Sequence, residues 1–270
     1  MLPRKKLCIA SAVKNEGDTI LEWLCFHANL GIEHFYLYLN DCTDNTLADI
    51  QRFYNQHMIT VHHVPGELGQ QRAYNHFIQT YRNQIEWCAF IDIDEYLVPT
   101  IAECLQEFVD QDEFREAAAI AVYWLNFGSN HLIDKPDGPT VGAFTARAID
   151  SFPDHHVIKS INRMSAIVSY LHPHQNRMFG MHFQEDGHAA LPVSGRLPVP
   201  KHFQIRLHHY YTKSEQQMLA KKARGRPLTD DDPRRIRNLE YFRMRDTNDI
   251  QDLAAVRFLP SLERALNRCV

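Results

Sequence analysis

No stretch of the 270 residues approaches the roughly 20 consecutive apolar residues that a membrane-spanning helix needs. Cysteine is sparse as well. The six (Cys8, Cys25, Cys42, Cys88, Cys104 and Cys269) form no Cys-x-x-Cys pair and no zinc-ribbon spacing, which speaks against a disulfide framework or a structural zinc site. Positive charge is not in excess. A formal net charge of −4 does not suit a chain that binds nucleic acid along its length. The opening "MLPRKKLCIASAVKNEG" places basic residues before an apolar run, yet Lys14, Asn15 and Glu16 close that run early, so it reads as a first strand rather than a signal peptide. Cys8 and Cys88 lie in apolar, strand-like runs where a thiol behaves as a small hydrophobe. The expectation is a cytoplasmic protein.

What is present is an alternation of strand and helix signals. Strands are expected at 7–13, 32–40, 58–64 and 87–93, and helices at 18–31, 46–56 and 69–83. Asp18 is the expected cap of the first helix, and the Thr100/Glu103 spacing reads as a capping box for a helix over 100–110. Such an order predicts an α/β fold with a mostly parallel central sheet flanked by helices. Ligands bind such sheets beyond the carboxyl ends of the strands. Lys14-Asn15-Glu16, Asn40-Asp41, Pro65-Gly66 and Asp92-Asp94 all fall there. After residue 116 the pattern shortens into strand-like pieces rich in His, and 213–224 and 233–245 read as helices. The expected division is a catalytic body over 1–212 and a basic C-terminal helical tail over 213–270, packed on the same unit. Residues 201–245 carry twelve Lys and Arg against five Asp and Glu, which suits an anionic partner or a solvated face.

The stretch that points to chemistry is "WCAFIDIDEYLVP", residues 87–99. Apolar residues run straight into Asp92, Asp94 and Glu95, although an unpaired buried charge is costly. Residues two apart in a strand face one side, so Asp92 and Asp94 can share a hard cation such as Mg2+ or Mn2+ beside substrate phosphates. The other reading has Asp92 capping a turn and Asp94 solvated. Asp110-x-Asp112 and Asp230-x-Asp232 repeat the spacing in polar surroundings and are given no function.

Five ordered blocks carry a resemblance: "KNEGDTILEWLCFHANLGIEHFYLYLNDCTDNT" (14–46), "QQRAYN" (70–75) with "WCAFIDIDEYLVP", "YWLNFGSN" (123–130), "KSINR" (159–163) and "HHYYTKSEQQMLAKKARGR" (208–226). Together they resemble glycosyltransferase family 92, a group similar to family 2 glycosyltransferases with a GT-A fold. The resemblance implies a metal-dependent transferase that moves a sugar from a nucleotide-sugar, UDP-hexose by expectation, to a glycan or lipid-linked glycan acceptor with inversion. It implies that Asp94 binds Mn2+ or Mg2+, that Asp92 assists or touches the ribose, and that His209, or its rival His208, completes the metal shell. Lys14, Asn15, Glu16, Asp41 and Asp44 would line the nucleotide pocket, with Arg72, Asn75 and Lys159 beside them. Asp44 has a second reading as a helix cap through Thr46. Glu95, facing away from Asp94, reads as a hydrogen-bond partner of the ligands.

Inversion requires a base on the acceptor side, for which Asp154, Glu185 and Asp186 are the candidates. Trp124 and Phe127 can form an apolar platform for a sugar ring, or Trp124 can belong to the core. The basic "KKARGRP" (221–227) suits a diphosphate, an acidic acceptor or an anionic membrane surface. The alternative reading is a metal-dependent hydrolase or phosphodiesterase built on His155, His156, His172 and His174. Against it, there is no His-Glu-x-x-His motif.

Overall fold

Leu7 and Ile9 point to one side of the first strand and Cys8 and Ala10 to the other, and all four are fully buried. A strand covered on both faces belongs at the centre of a sheet. The computed structural model describes residues 5–223 and 239–269. Its first elements are β1 (Lys5–Val13), α1 (Ile20–Asn29), β2 (His34–Leu39), α2 (Thr46–Gln51), β3 (Ile59–His63), α3 (Gly69–Tyr81) and β4 (Ile85–Phe90). They form a parallel core in the order β3-β2-β1-β4. Next come β5 (Glu95–Pro99), α4 (Leu105–Val109), β6 (Ala119–Asn126), α5 (Thr140–Ala143), β7 (Ala146–Arg147) and β8 (Ile158–Arg163). β8 lies antiparallel to both β4 and β6.

The remaining strands are short. β9 (Ile167–His172) and β10 (Gln175–Met178) make a hairpin, and β11 (His182–Phe183) and β12 (Ala189–Ala190) extend the sheet beyond β6. β13 (Ile205–His209) pairs parallel with β6 and antiparallel with β5. It thereby brings His209 level with Glu95 and Asn126.

Alternation along β2 supplies both layers of the core. Phe35, Leu37 and Leu39 pack with Trp23, Leu24 and Trp87 on the α1 side, while Tyr36 and Tyr38 pack with Tyr74, Phe77 and Phe90 on the α3 side. The C-terminal elements α6 (Glu215–Ala223), α7 (Leu239–Arg245), β14 (Ile250–Gln251) and α8 (Leu259–Leu266) return to this body. β14 pairs with β7, and α8 packs on α1. Asp246 accepts from Ser129 N at 2.6 Å and Ser129 Oγ at 2.9 Å. The approach is so close that a Cβ on Gly128 would lie 2.3 Å from Thr247 O, so only glycine fits there.

Three expected boundaries shift. α1 starts at Ile20 after Thr19, and Asp18 caps nothing because it pairs with Lys135 and accepts from Gln217 at 3.1 Å. The capping interaction at α4 sits later than Thr100/Glu103: Cys104 Sγ accepts from Glu107 N, and Glu107 returns a carboxylate to Glu103 N at 2.8 Å. β4 ends at Phe90, not at residue 93. No helix among the described residues is long and apolar enough to cross a membrane.

Candidate active site

Because β4 stops at Phe90, Asp92 and Asp94 lie on a turn, and the strand rule that would put them on one side does not apply. The structure gives them different partners. Asp92 Oδ2 accepts from Lys159 Nζ at 2.9 Å and Oδ1 from Gln70 Nε2 at 3.2 Å. Asp94 is paired with Lys221, and its carbonyl accepts from Tyr210 N at 2.9 Å.

Glu95 lies beneath them, fully buried. Its Oε2 accepts from Asp92 N at 2.8 Å and lies 3.5 Å from Lys159 Nζ, and its Oε1 accepts from Trp124 Nε1 at 2.7 Å. Burial pushes the Glu95 carboxyl up, against the pull of Lys159. Burial also opposes charge on Lys159, but Asp92 and Glu95 override it and raise its affinity for a proton.

His209 faces Asp94 from β13, with Nε2 3.8 Å from Asp94 Oδ2. His208, one position earlier, points to the other side of the strand, where it lies against Phe127 and reaches Tyr210 Oη at 3.2 Å. Burial pushes His209 down to about 4 despite Asp94, so its imidazole is neutral at pH 7. Its Nδ1 donates to Asn126 Oδ1 at 3.1 Å, which turns the Nε2 lone pair toward Asp94. Burial would raise the Asp94 carboxyl, yet the Lys221 ammonium overrides it and holds the group well below the usual carboxylate range.

A cavity of about 790 Å³ opens at this edge, walled by the loop after β1, the start of α2, Asp94 and the segment from Tyr211 to Lys221. Asn15, Glu16 and Asp44 line it. Asp44 also holds the start of α2, accepting from Thr46 N and from Gly17 N, each at 3.0 Å. Asn15 and Asp41 both adopt positive φ, 53° and 47°. Asn15 clasps Thr43 N at 2.7 Å, and Asp41 accepts from Gly66 N at 2.8 Å, stitching the β2 end to the β3 end. Lys14, Asp41, Arg72, Asn75, Asp92, Lys159, His208 and His209 lie outside the cavity wall. Arg72 is exposed in the first turn of α3.

The acids considered for the base lie elsewhere. Glu185 is spent on three backbone amides, those of Phe203 (2.8 Å), Gln204 (2.9 Å) and Ile205 (3.1 Å). Asp186 is exposed and paired with Lys201 and His188, and Asp154 pairs with Arg196 and Arg245. Phe127 is core, 2% exposed, and offers no platform. Trp124 is half-buried between Glu95, His174 and His209. The histidines of the hydrolase reading are tied to the backbone instead: His155 Nε2 accepts from Asn126 N, His156 Nδ1 bonds Leu197 O, and His174 Nδ1 bonds Ile158 O. Among the described residues no group of three His, Cys, Asp or Glu side chains is placed to hold a metal. "KKARGRP" lies outside the described residues beyond Ala223.

Sequence reasoning missed Gln70, Asn126, Lys213 and the link from Trp124 to Glu95. Nothing in their local sequence announces them, since their surroundings are assembled from segments distant in the chain.

A model of glycosyltransferase family 92 matches residues 6–186. The chain belongs to glycosyltransferase family 92. A family 92 protein of Ricinus communis is 29% identical over 170 residues, which is 62% of this chain and 30% of that protein. One of Arabidopsis thaliana is 25% identical over 181 residues, with the same 62% and 30% shares. The matched stretch thus spans about 30% of the length of these relatives. Among solved structures, S. aureus TarS 1–349 is matched over 96% of this chain and 71% of its own, at a TM-score of 0.46 and 13% identity. TarS 1–349 in complex with UDP-GlcNAc is matched over 59% of this chain and 46% of its own, at a TM-score of 0.38 and 14% identity.

The donor set at Asp94 fits the cation that family membership leads one to expect. A carboxylate oxygen and a neutral imidazole nitrogen 3.8 Å apart suit two positions of Mn2+ or Mg2+, with phosphate oxygens and water taking the rest.

Proposed function

We propose that this family 92 chain transfers a sugar from a nucleotide-sugar, a UDP-hexose, to a hydroxyl of a glycan or glycolipid acceptor, with inversion and in a GT-A arrangement. The observation that carries this reading is that Asp94, on the wall of a cavity of about 790 Å³ at the carboxyl edge of the sheet, is faced from behind that wall by His209. That is where ligands of open parallel sheets bind, and the size suits a nucleotide-sugar. Asn15, Glu16 and Asp44 bind the nucleoside end. Asp94 and His209 hold Mn2+ or Mg2+, which when bound supplies Lewis-acid neutralisation of the leaving diphosphate.

Lys159 and Glu95 fix Asp92 on the far side of the turn, off the cavity wall, where it steadies the turn that carries Asp94. Asp186, off the cavity wall and the most exposed of the three acids considered, is assigned to the acceptor side, where it takes the acceptor proton while its pairing with Lys201 orients it. The test is a panel of UDP-hexoses with UDP release as readout. Turnover of one of them, accelerated by Mn2+ and lost in His209→Ala, supports the reading. No release with any donor overturns it.

A further inference from the structure

Lys213 stands in a placement that its own contacts do not explain. The residue is only 8% exposed and lines the cavity, yet among the described residues no hydrogen-bond or ion-pair partner meets its ammonium. The backbone is strained as well, with φ at +51°, a region that side chains other than glycine rarely occupy. Both neighbours lock it there. Thr212 Oγ1 donates to Phe127 O at 3.2 Å, and Ser214 exchanges bonds with Gln217 across the start of α6, a capping box. A lysine held this rigidly in a largely buried place, with its ammonium reachable only from the cavity, is costly to keep charged in the free protein. Burial lowers its affinity for a proton, and Glu16 and Glu22 offset this only in part.

Resting on the donor-site reading above, we infer that Lys213 is a diphosphate-binding residue, its ammonium and that of Lys221 receiving the phosphates of a nucleoside diphosphate in the cavity. The two lysines flank the first two turns of α6 and line the same wall. Lys221 already delivers its charge to Asp94 on the cavity wall, whereas no carboxylate among the described residues lies within ion-pair distance of Lys213. An anionic ligand is the only kind of occupant that this charge favours. A phosphate oxygen fits it better than a sugar hydroxyl, because a hydrogen bond between two charged groups is about twice as strong as a neutral one.

The experiment is calorimetric titration of the full chain with UDP and with uridine, in Mn2+, on the wild type and on Lys213→Met. UDP affinity is expected to fall about tenfold or more in Lys213→Met while uridine affinity holds. The thermal midpoint should stay level or rise, because a buried charge that its neighbours offset only in part has been removed. Unchanged UDP affinity in a folded Lys213→Met overturns the assignment. Should the wild type bind neither UDP nor uridine, the donor site itself falls. A wild-type measurement covers a variant that fails to fold: UDP, and not uridine, is expected to protect Lys213 from reductive methylation read by mass spectrometry. Equal labelling with both ligands overturns the role of Lys213.

Discussion

The ring of Trp124 lies against the imidazole of His209, with centroids 4.1 Å apart and planes 31° from parallel. The same indole donates Nε1 to Glu95 Oε1 at 2.7 Å, and Glu95 in turn holds Asp92 N. One side chain thus ties the surroundings of Asp94 to those of Asp92. Trp124→Phe keeps most of the stacking and leaves a buried carboxylate oxygen without its donor. It is expected to destabilise the fold by about 1–3 kcal/mol, read as a lower urea midpoint. An unchanged midpoint would mean that this hydrogen bond carries no stability.

The two adjacent histidines are expected to separate by phenotype. His208→Ala removes a buried ring packed on Phe127 and should cost about 2 kcal/mol or more of stability, with nucleotide affinity in Mn2+ unchanged. His209→Ala should lower that affinity by about tenfold or more. Equal effects on affinity would remove the reason for preferring His209.

Glu185 and Asp186 should differ in the opposite sense. Glu185→Gln replaces one acceptor oxygen facing the amides of 203–205 with a donor, so stability should fall by about 1–3 kcal/mol. Asp186→Asn, on the surface, should leave stability within about 0.5 kcal/mol and slow sugar transfer without weakening UDP binding. Full transfer activity in Asp186→Asn would exclude it as the base.

Acid should unfold the protein early. Burial pushes His27, His174 and His208 down to about 3 and His155, His182 and His209 down to about 4, from 6.5. Below 6.5 the unfolded chain therefore binds more protons than the folded one, so stability rises with pH and is lost as pH falls from 6.5 toward these values. Asp94, held below its usual 3.8, acts in the same direction only at lower pH. The urea midpoint is expected to drop between about pH 7 and about pH 5. A flat midpoint across that interval would contradict neutral burial of these rings.

Much of the architecture was legible because period-two burial along β1 and β2 and the helices between them are local features. The carboxyl edge was legible for the same reason, since strand ends place Asn15, Glu16 and Asp94 there. The strand end at Phe90 was not, because Ile91 and Ile93 continue the apolar pattern while the chain already turns. Nor was which of His208 and His209 faces Asp94, which the registers of β13 with β5 and β6 set. The burial of Lys213 and the expenditure of Glu185 on amides both depend on segments that meet only after folding.

The central claim is that Asp94 and His209 hold a cation against a nucleoside diphosphate. Its most direct test is calorimetric titration of UDP, with Mn2+ and with a chelator, on the native chain and on Asp94→Ala. The account predicts binding that needs Mn2+ in the native chain and is lost in Asp94→Ala. UDP binding that survives both chelation and Asp94→Ala, or no binding in any condition, would contradict it.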